Sequence, residues 1–207
     1  MTSAKAQKFD VVVVGAGAAG LFCAGIAGQR GLKVLVVDHS EKIAEKIRIS
    51  GGGRCNFTNT GTTPANFLSD NPHFCRSALS RYTPQDFMAL LTAYDVPFHE
   101  KHKGQRFCDR SAEDVINVLL AECAKGGVTR WQPCSIESIT QSPADLQNSC
   151  PSSYQINSSM GWIETPQIVV ATGGLSIPKI GATDFGYRLA RQFGLPMIEP
   201  RDRKSVV

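Results

Sequence analysis

The feature that most constrains this chain is a glycine pattern. Gly15-Ala16-Gly17-Ala18-Ala19-Gly20 follows directly on the apolar run Val11 to Val14. The spacing is G-x-G-x-x-G. In such a turn the first glycine permits a tight bend, and the second lets the backbone approach a pyrophosphate with no Cβ between them. The third lets the following helix pack closely on its strand. Phe9 to Val14 is a run of buried-type residues ending at Gly15, which predicts a strand. Ala18 to Arg30 carries Leu21, Phe22, Ile26 and several alanines and predicts a helix, closed by Gly31. Lys33 to Asp38 predicts a second buried strand. Strand, turn, helix and strand occupy about thirty residues, the size of a βαβ unit. The helix N-terminus offers free N–H groups and partial positive charge to phosphates. Asp38 falls about twenty residues beyond the glycines, where a carboxylate accepts from ribose hydroxyls. A glycine-rich turn in an ordinary α/β protein is the plainer alternative, and the flanking elements with Asp38 argue against it. The candidate dinucleotide residues are therefore Gly15, Ala16, Gly17, Ala18, Ala19, Gly20 and Asp38. The next residue, His39, is either a contact at the adenosine edge or an exposed loop histidine. Asp38 repels a 2′-phosphate, which disfavours NADP and leaves NAD and FAD open.

Composition narrows the class. With 207 residues, 42% of them hydrophobic, the chain can bury a core of one domain. The formal charge of +4 is spread over scattered residues such as Lys42, Arg54, Lys103 and Arg110. A nucleic-acid binder usually gathers such residues into one stripe, so nucleic acid ranks below a small anionic ligand. No leader or membrane span is expected, because no apolar run approaches about twenty residues. The 7 cysteines include no C-x-x-C pair, which argues against a zinc ribbon or a redox pair. A reducing, cytoplasmic setting follows. His99 and His102 flank Glu100 but lack an obvious third ligand, so no metal site is expected.

Further along, His39 to Phe67 is a long loop rich in Gly, Asn, Thr and Ser, with a short helix over Glu41 to Ile49. Pro72 to Tyr82 and Pro84 to Tyr94 predict two helices with proline in the first turn. Pro97 to Asp109 reads as irregular or hairpin structure. Ser111 to Lys125 predicts a helix with Ser111 as its cap and Asp114 completing an approximate capping box. Val128 to Trp131, Ser135 to Thr140, Tyr154 to Asn157 and Gly161 to Glu164 predict a small antiparallel meander, roughly residues 128–165. Gln141 to Ser153 is read as an exposed turn. Gln167 to Ala171 predicts another buried strand, and Asp184 to Phe193 a last helix. Trp131 and Trp162 are read as core or sheet packing.

Two further motifs carry chemistry. Ser50-Gly51-Gly52-Gly53-Arg54-Cys55-Asn56 continues to Thr58 and Asn59. Successive glycines let a backbone lie flat against a planar ring or phosphate, and Arg54 places a fixed positive charge beside it. Its bland reading is a flexible surface loop. Cys55 sits next to Arg54, which favours thiolate, but a structural role is the simpler reading. Ala171-Thr172-Gly173-Gly174 ends a buried strand, where open α/β sheets bind ligands.

Taken together, these motifs and the Gly181-Ala182-Thr183…Gly186-Tyr187 segment resemble a family of bacterial flavoproteins. Its members are described as NAD(P)/FAD-dependent oxidoreductases or as aminoacetone-oxidase-like proteins. The match runs from about Phe9 to Pro200, and Ser50 to Asn59 is its most specific part. The resemblance implies a Rossmann-like α/β domain spanning residues 1–207, with a parallel sheet, helices on both faces and the meander. It implies FAD, with the pyrophosphate at Gly15, Gly17 and Gly20 and the adenosine ribose at Asp38. Gly52, Gly53, Arg54 and Asn56 would lie toward the flavin, where a cation stabilises the reduced ring. The backbone at Ile136 would meet adenine, and Ala171, Thr172 and Gly173 would close the second side. Family members continue for roughly as long again, so the chain is expected to be shortened and to lack a substrate domain. The function expected is transfer of hydride or electrons between a small organic substrate or NAD(P)H and flavin. No catalytic acid or base is identified. A non-catalytic dinucleotide-binding fragment and an NAD-only dehydrogenase are the alternatives, and a flavoprotein acting on RNA is a minor one.

Overall fold

A strand made only of valines is stable when both faces of its sheet are covered, and the run after Asp10 is used in that way. The computed structural model describes residues 6–142, 152–175, 177 and 181–198. The chain begins with β1 (Gln7–Lys8), β2 (Val11–Val14), α1 (Ala18–Gln29), β3 (Val34–Val37) and α2 (Glu45–Ile49). A 3-10 turn (Ser50–Gly53), β4 (Asn56–Asn59), a second 3-10 turn (Pro64–Asn66), α3 (Arg76–Arg81) and α4 (Pro84–Ala93) follow. Then come β5 (Phe98–Glu100), β6 (Gln105–Cys108), α5 (Glu113–Lys125), β7 (Thr129–Trp131), β8 (Ile136–Ser142) and β9 (Ser153–Ser158). The last elements are β10 (Gly161–Thr165), β11 (Ile168–Val170) and α6 (Phe185–Gln192).

The central sheet has the order β11-β2-β3-β7 and is parallel throughout, with Val12 opposite Ile168 and Leu35. Because side chains alternate along a strand, its residues divide between two cores. Val13, Val34 and Val36 join Leu21 and Ala24 of α1 with Val115, Ile116 and Leu119 of α5. Val12, Val14, Leu35 and Val37 join Ile139, Ile156 and Ile163, one from each strand of the β8-β9-β10 meander, and Leu189 of α6. Helices therefore lie on both faces, and the meander shares the second.

Helices α1 and α5 meet backbone to backbone. A Cβ on Gly28 would lie 2.5 Å from Gly126 O, and one on Gly25 would lie 3.2 Å from Glu122 C. Glu122 ties the seam: Gln29 Nε2 donates to its Oε2 at 2.9 Å, and the Tyr94 hydroxyl donates to its Oε1. Those two hydrogen bonds hold the Glu122 carboxyl down at about 2.

Several boundaries differ from the sequence reading. The strand expected at Val128 to Trp131 as part of the meander belongs instead to the parallel sheet, beside β3. Only Trp131 of its residues is buried, so its three-residue pattern does not reveal the partner. The meander begins at Ile136, and β1 extends it by pairing parallel to β10. Asn56–Asn59, expected to be loop, is a strand. It pairs antiparallel with β6, itself paired with β5, and Phe57 packs on Phe87 and Phe98 at 5.8 and 5.3 Å. Glu41 to Glu45 does not start α2 early; the helix begins at Glu45, after Ala44 adopts φ +58. Likewise α3 starts at Arg76 rather than Pro72. Ala112 rather than Ser111 is the residue capping α5, although Ser111 Oγ accepts from the Glu113 N–H at 3.1 Å. Residues 143–151 of the expected turn and the tail from Arg201 lie outside the described residues. Among the described residues no helix is long and apolar enough to cross a membrane.

Candidate dinucleotide-binding site

The carboxyl ends of β2, β3 and β11 open into one cleft of about 850 Å³, within the size range of ligand pockets. Its centre is the turn after β2. Gly15 has φ +108, and a Cβ there would lie 2.6 Å from Ala171 O, so the first glycine turn and the turn after β11 touch. A Cβ on Gly20 would lie 1.8 Å from Gly15 O. Around the Cβ position of Gly17, by contrast, nothing stands within 4 Å. The first and third glycines thus close the turn, and the second leaves its approach open.

Asp38 ends β3 with its side chain 13% exposed. The Ala16 N–H donates to its Oδ2 at 2.6 Å and the Ser40 N–H to its Oδ1 at 2.8 Å. Each oxygen keeps acceptor capacity for a ribose hydroxyl. His39 is half exposed beside it, with Nδ1 3.8 Å from Asp38 Oδ1. The Cys134 N–H donates to Asp38 O at 2.7 Å, which brings Ser135 and Ile136 to the rim beyond Asp38.

Of the residues singled out in the sequence, the cleft is lined by Gly15, Gly17, Ala18, Ala19, Asp38, His39, Asn56, Ile136, Ala171, Thr172 and Gly173. Ala16 and Gly20 are buried behind it, shaping the turn. Gly52, Gly53 and Arg54 are not among the lining residues, although Ser50, Cys55 and Asn56 are. The glycines of this second turn answer to backbone conformation. Gly51, Gly52 and Gly53 have φ of +58, +67 and +85, a region most side chains avoid. The turn is pinned from outside the cleft: the Ala112 N–H donates to Gly53 O at 2.7 Å and the Cys108 N–H to Arg54 O at 2.9 Å. Arg54 itself is exposed.

Burial pushes the Cys55 thiol up, against a smaller opposing hydrogen bond with Ser50. Burial, then the neighbouring Cys55, pushes Cys108 up to about 12. Both thiols are neutral near pH 7, so the thiolate suggested by Arg54 is not favoured. His99 pairs with Asp109 at 2.6 Å, half exposed and away from the cleft lining. Trp131 is buried and meets Phe9 edge-on at 6.4 Å, whereas Trp162 is 45% exposed.

The sequence reading missed Ser40, Lys42, Lys46, Ser135, Gly181 and Thr183, all on the cleft lining. Gly181, with φ +87, brings its segment against the Asp38 end of the cleft, its Cβ position 3.1 Å from both His39 Nε2 and Ser40 Oγ. In the sequence, Gly181-Ala182-Thr183 carries no chemistry of its own and enters only through the resemblance. Nothing in the sequence around the two lysines marks them.

Comparison with known proteins gives the family and the fold. The chain is 43% identical over 195 residues to an Escherichia coli (strain K12) protein named ribosomal RNA dihydrouridine synthase, covering 94% of this chain and 47% of that one. A Haemophilus influenzae protein of the same name is 45% identical over 197 residues, covering 94% and 48%. The chain thus spans about half the length of these relatives, and neither is named an aminoacetone oxidase. Among solved structures, the open conformation of a flavocytochrome c3 fumarate reductase matches with a TM-score of 0.57 at 19% identity, covering 90% of this chain and 40% of that one; at that identity the likeness speaks to fold. The model of the HI0933-like protein Rossmann domain matches residues 9–201, and with nearly its whole length inside that match the chain belongs to the HI0933-like family.

Proposed function

We propose that this chain is the FAD-holding part of a flavin-dependent reductase that saturates the C5=C6 bond of a uridine in ribosomal RNA. The observation that carries the cofactor reading is the open approach at Gly17 between two touching turns, with Asp38 at one end. The fit is specific. Gly15 and Gly20 leave no room for side chains, whereas the Cβ space of Gly17 is empty, as a close-lying pyrophosphate requires. Asp38 would accept from the adenosine ribose, Ser135 and Ile136 would border the adenine, and Ala171 to Gly173 would cover the far side. The N-terminus of α1, with no acidic residue in its first turn, favours the phosphate charge.

The substrate reading rests on identity of 43–45% to proteins named ribosomal RNA dihydrouridine synthase. The C5=C6 bond of uracil is conjugated with the C4 carbonyl, which makes C6 electrophilic. Bound FAD supplies hydride chemistry suited to such a bond, with NAD(P)H as the electron donor. A uridine in RNA thus replaces the small organic substrate expected with the flavoprotein resemblance, and reverses the ranking of nucleic acid below a small anionic ligand; the setting is the cytoplasm. Nothing in the cleft lining is assigned as the proton donor.

The test is a visible spectrum of the purified chain after FAD addition and desalting, followed by incubation of a protein of the relatives' full length that contains it with NADPH and unmodified ribosomal RNA. Retained flavin absorbance and a uridine heavier by two hydrogens on mass spectrometry are the expected results. Binding of NAD without retention of FAD would replace this reading with an NAD-only dehydrogenase. Retained FAD in the chain, with RNA left unmodified by a protein of the relatives' full length that contains it, would remove the RNA substrate and keep the flavoprotein.

A further inference from the structure

Resting on the FAD reading, we infer that Lys46 is the side chain that neutralises the cofactor's pyrophosphate, the role of cofactor-side cation that the sequence suggested for Arg54. Two facts move the charge. Arg54 is absent from the cleft lining, and its carbonyl is turned to the Cys108 N–H. Lys46 lines the cleft, and its Nζ stands 3.9 Å from the Cβ position of Gly173 in the turn after β11. That turn touches the first glycine turn through Ala171 and Gly15. The ammonium therefore sits at the junction of the two backbone segments that flank the open approach at Gly17.

The local backbone explains the placement. Ala44 is buried and takes φ +58 although it carries a Cβ, a conformation unusual outside glycine. Its N–H donates to Ala16 O at 3.1 Å. This contact anchors the start of α2 on the first glycine turn, and Lys46 follows two residues later. The strained residue thus aims the second residue of α2 across the cleft.

Charge layout gives the direction of the ligand. The Asp38 carboxylate occupies the β3 end and repels anions, while it welcomes ribose hydroxyls as donors. Glu45 is engaged by Arg48 at 2.8 Å. The fixed charges of a dinucleotide are on its pyrophosphate, so these must lie away from Asp38, toward the β11 side. Lys46 stands on that side. Lysine suits this task as a compact point charge on a flexible stem.

The test is titration of the protein with FAD and, separately, with ADP-ribose, which shares the pyrophosphate diester but lacks the flavin. Lys46→Met should weaken both ligands by the same factor, about ten- to a hundred-fold for loss of a charge-assisted contact. Lys46→Arg should restore most of that loss, and Arg54→Met should bind as wild type. Lys46→Arg keeps the charge and the long stem, so it separates loss of the phosphate contact from any effect of the Met substitution on the fold. Equal binding by wild type and Lys46→Met overturns the assignment while leaving the FAD site intact. Weakening of FAD alone, with ADP-ribose unchanged, also overturns it, because the cation would then face the ring. A wild-type chain that binds neither ligand overturns the site reading and the Lys46 assignment with it.

Discussion

The two glycine-rich turns of this chain look alike in sequence and differ in what their glycines do. In the turn after β2, Gly15 and Gly20 are demanded by contact, with a Cβ meeting backbone oxygen at 2.6 and 1.8 Å. Gly17 is demanded by nothing inside the protein, and its empty surroundings face the cleft. In the Ser50–Gly53 turn the glycines are demanded by three successive positive φ values, and Gly52 and Gly53 meet no neighbour within 4 Å. Their turn leaves the cleft and docks on β6 and the start of α5. Glycine richness alone therefore marks neither a ligand nor a loop. The reason for each glycine, whether contact, conformation or access, separates the two.

The contrast can be broken by substitution. Gly20→Ala should have the largest effect. Its methyl would overlap Gly15 O, and we expect a loss of about 3 kcal/mol or more, or failure to fold, in urea denaturation. Gly51→Ala should come next. A left-handed alanine costs about 1–2 kcal/mol, and its Cβ would also lie 2.7 Å from the Phe107 ring. Gly52→Ala carries the conformational cost alone and should lose about 1 kcal/mol with FAD affinity unchanged. If its affinity fell further than its stability, the second turn would be a cofactor turn after all. Gly17→Ala should show the reverse: stability within about 0.5 kcal/mol of wild type, and FAD binding weakened about tenfold because the new methyl enters the approach.

The smallest effect concerns Cys55, the part of the second motif that does reach the cleft. Alkylation needs the thiolate. With its thiol raised by burial, the neutral form persists through pH 7 and beyond the ordinary thiol range. Iodoacetamide labelling of Cys55 should be slow at pH 7, rise only at distinctly alkaline pH, and slow further with FAD bound. Rapid labelling at pH 7 would restore the activated cysteine that its arginine neighbour suggested.

Much of this was legible in the sequence where burial and periodicity act locally. Val11–Val14 and Val34–Val37 are uniform apolar runs because both faces of their sheet are covered. The helix between them begins at Ala18, as the glycine spacing requires. What was not legible depends on partners distant in the chain. Thr129–Trp131 pairs parallel to β3 because Asp38 N–H meets Trp131 O at 3.2 Å, a contact with no local sign. Asn56–Asn59 is a strand because Gln105–Cys108 supplies its hydrogen bonds, not because its residues favour one. At the site, the glycines and Asp38 were visible because their chemistry is tied to spacing. Lys46 was hidden because its position is set by the left-handed turn at Ala44, which an alanine does not announce.

The seam between α1 and α5 has a consequence for the speed and entropy of ligand capture. Helix α1 is fixed by close main-chain approach at Gly25 and Gly28, and the Gln29 side chain ties it across the seam to Glu122 of α5. It can neither roll about its axis nor slide without separating two backbones. Its N-terminal amides therefore keep one heading before any ligand arrives, and binding need not freeze a moving helix. A pre-aligned site avoids that ordering cost. Encounter should then be limited by diffusion and by the lysine side chain settling, while the helix itself stays still. Bulk introduced at Gly28, about three helical turns from the cleft, would loosen the aim of those amides and weaken the ligand without touching it.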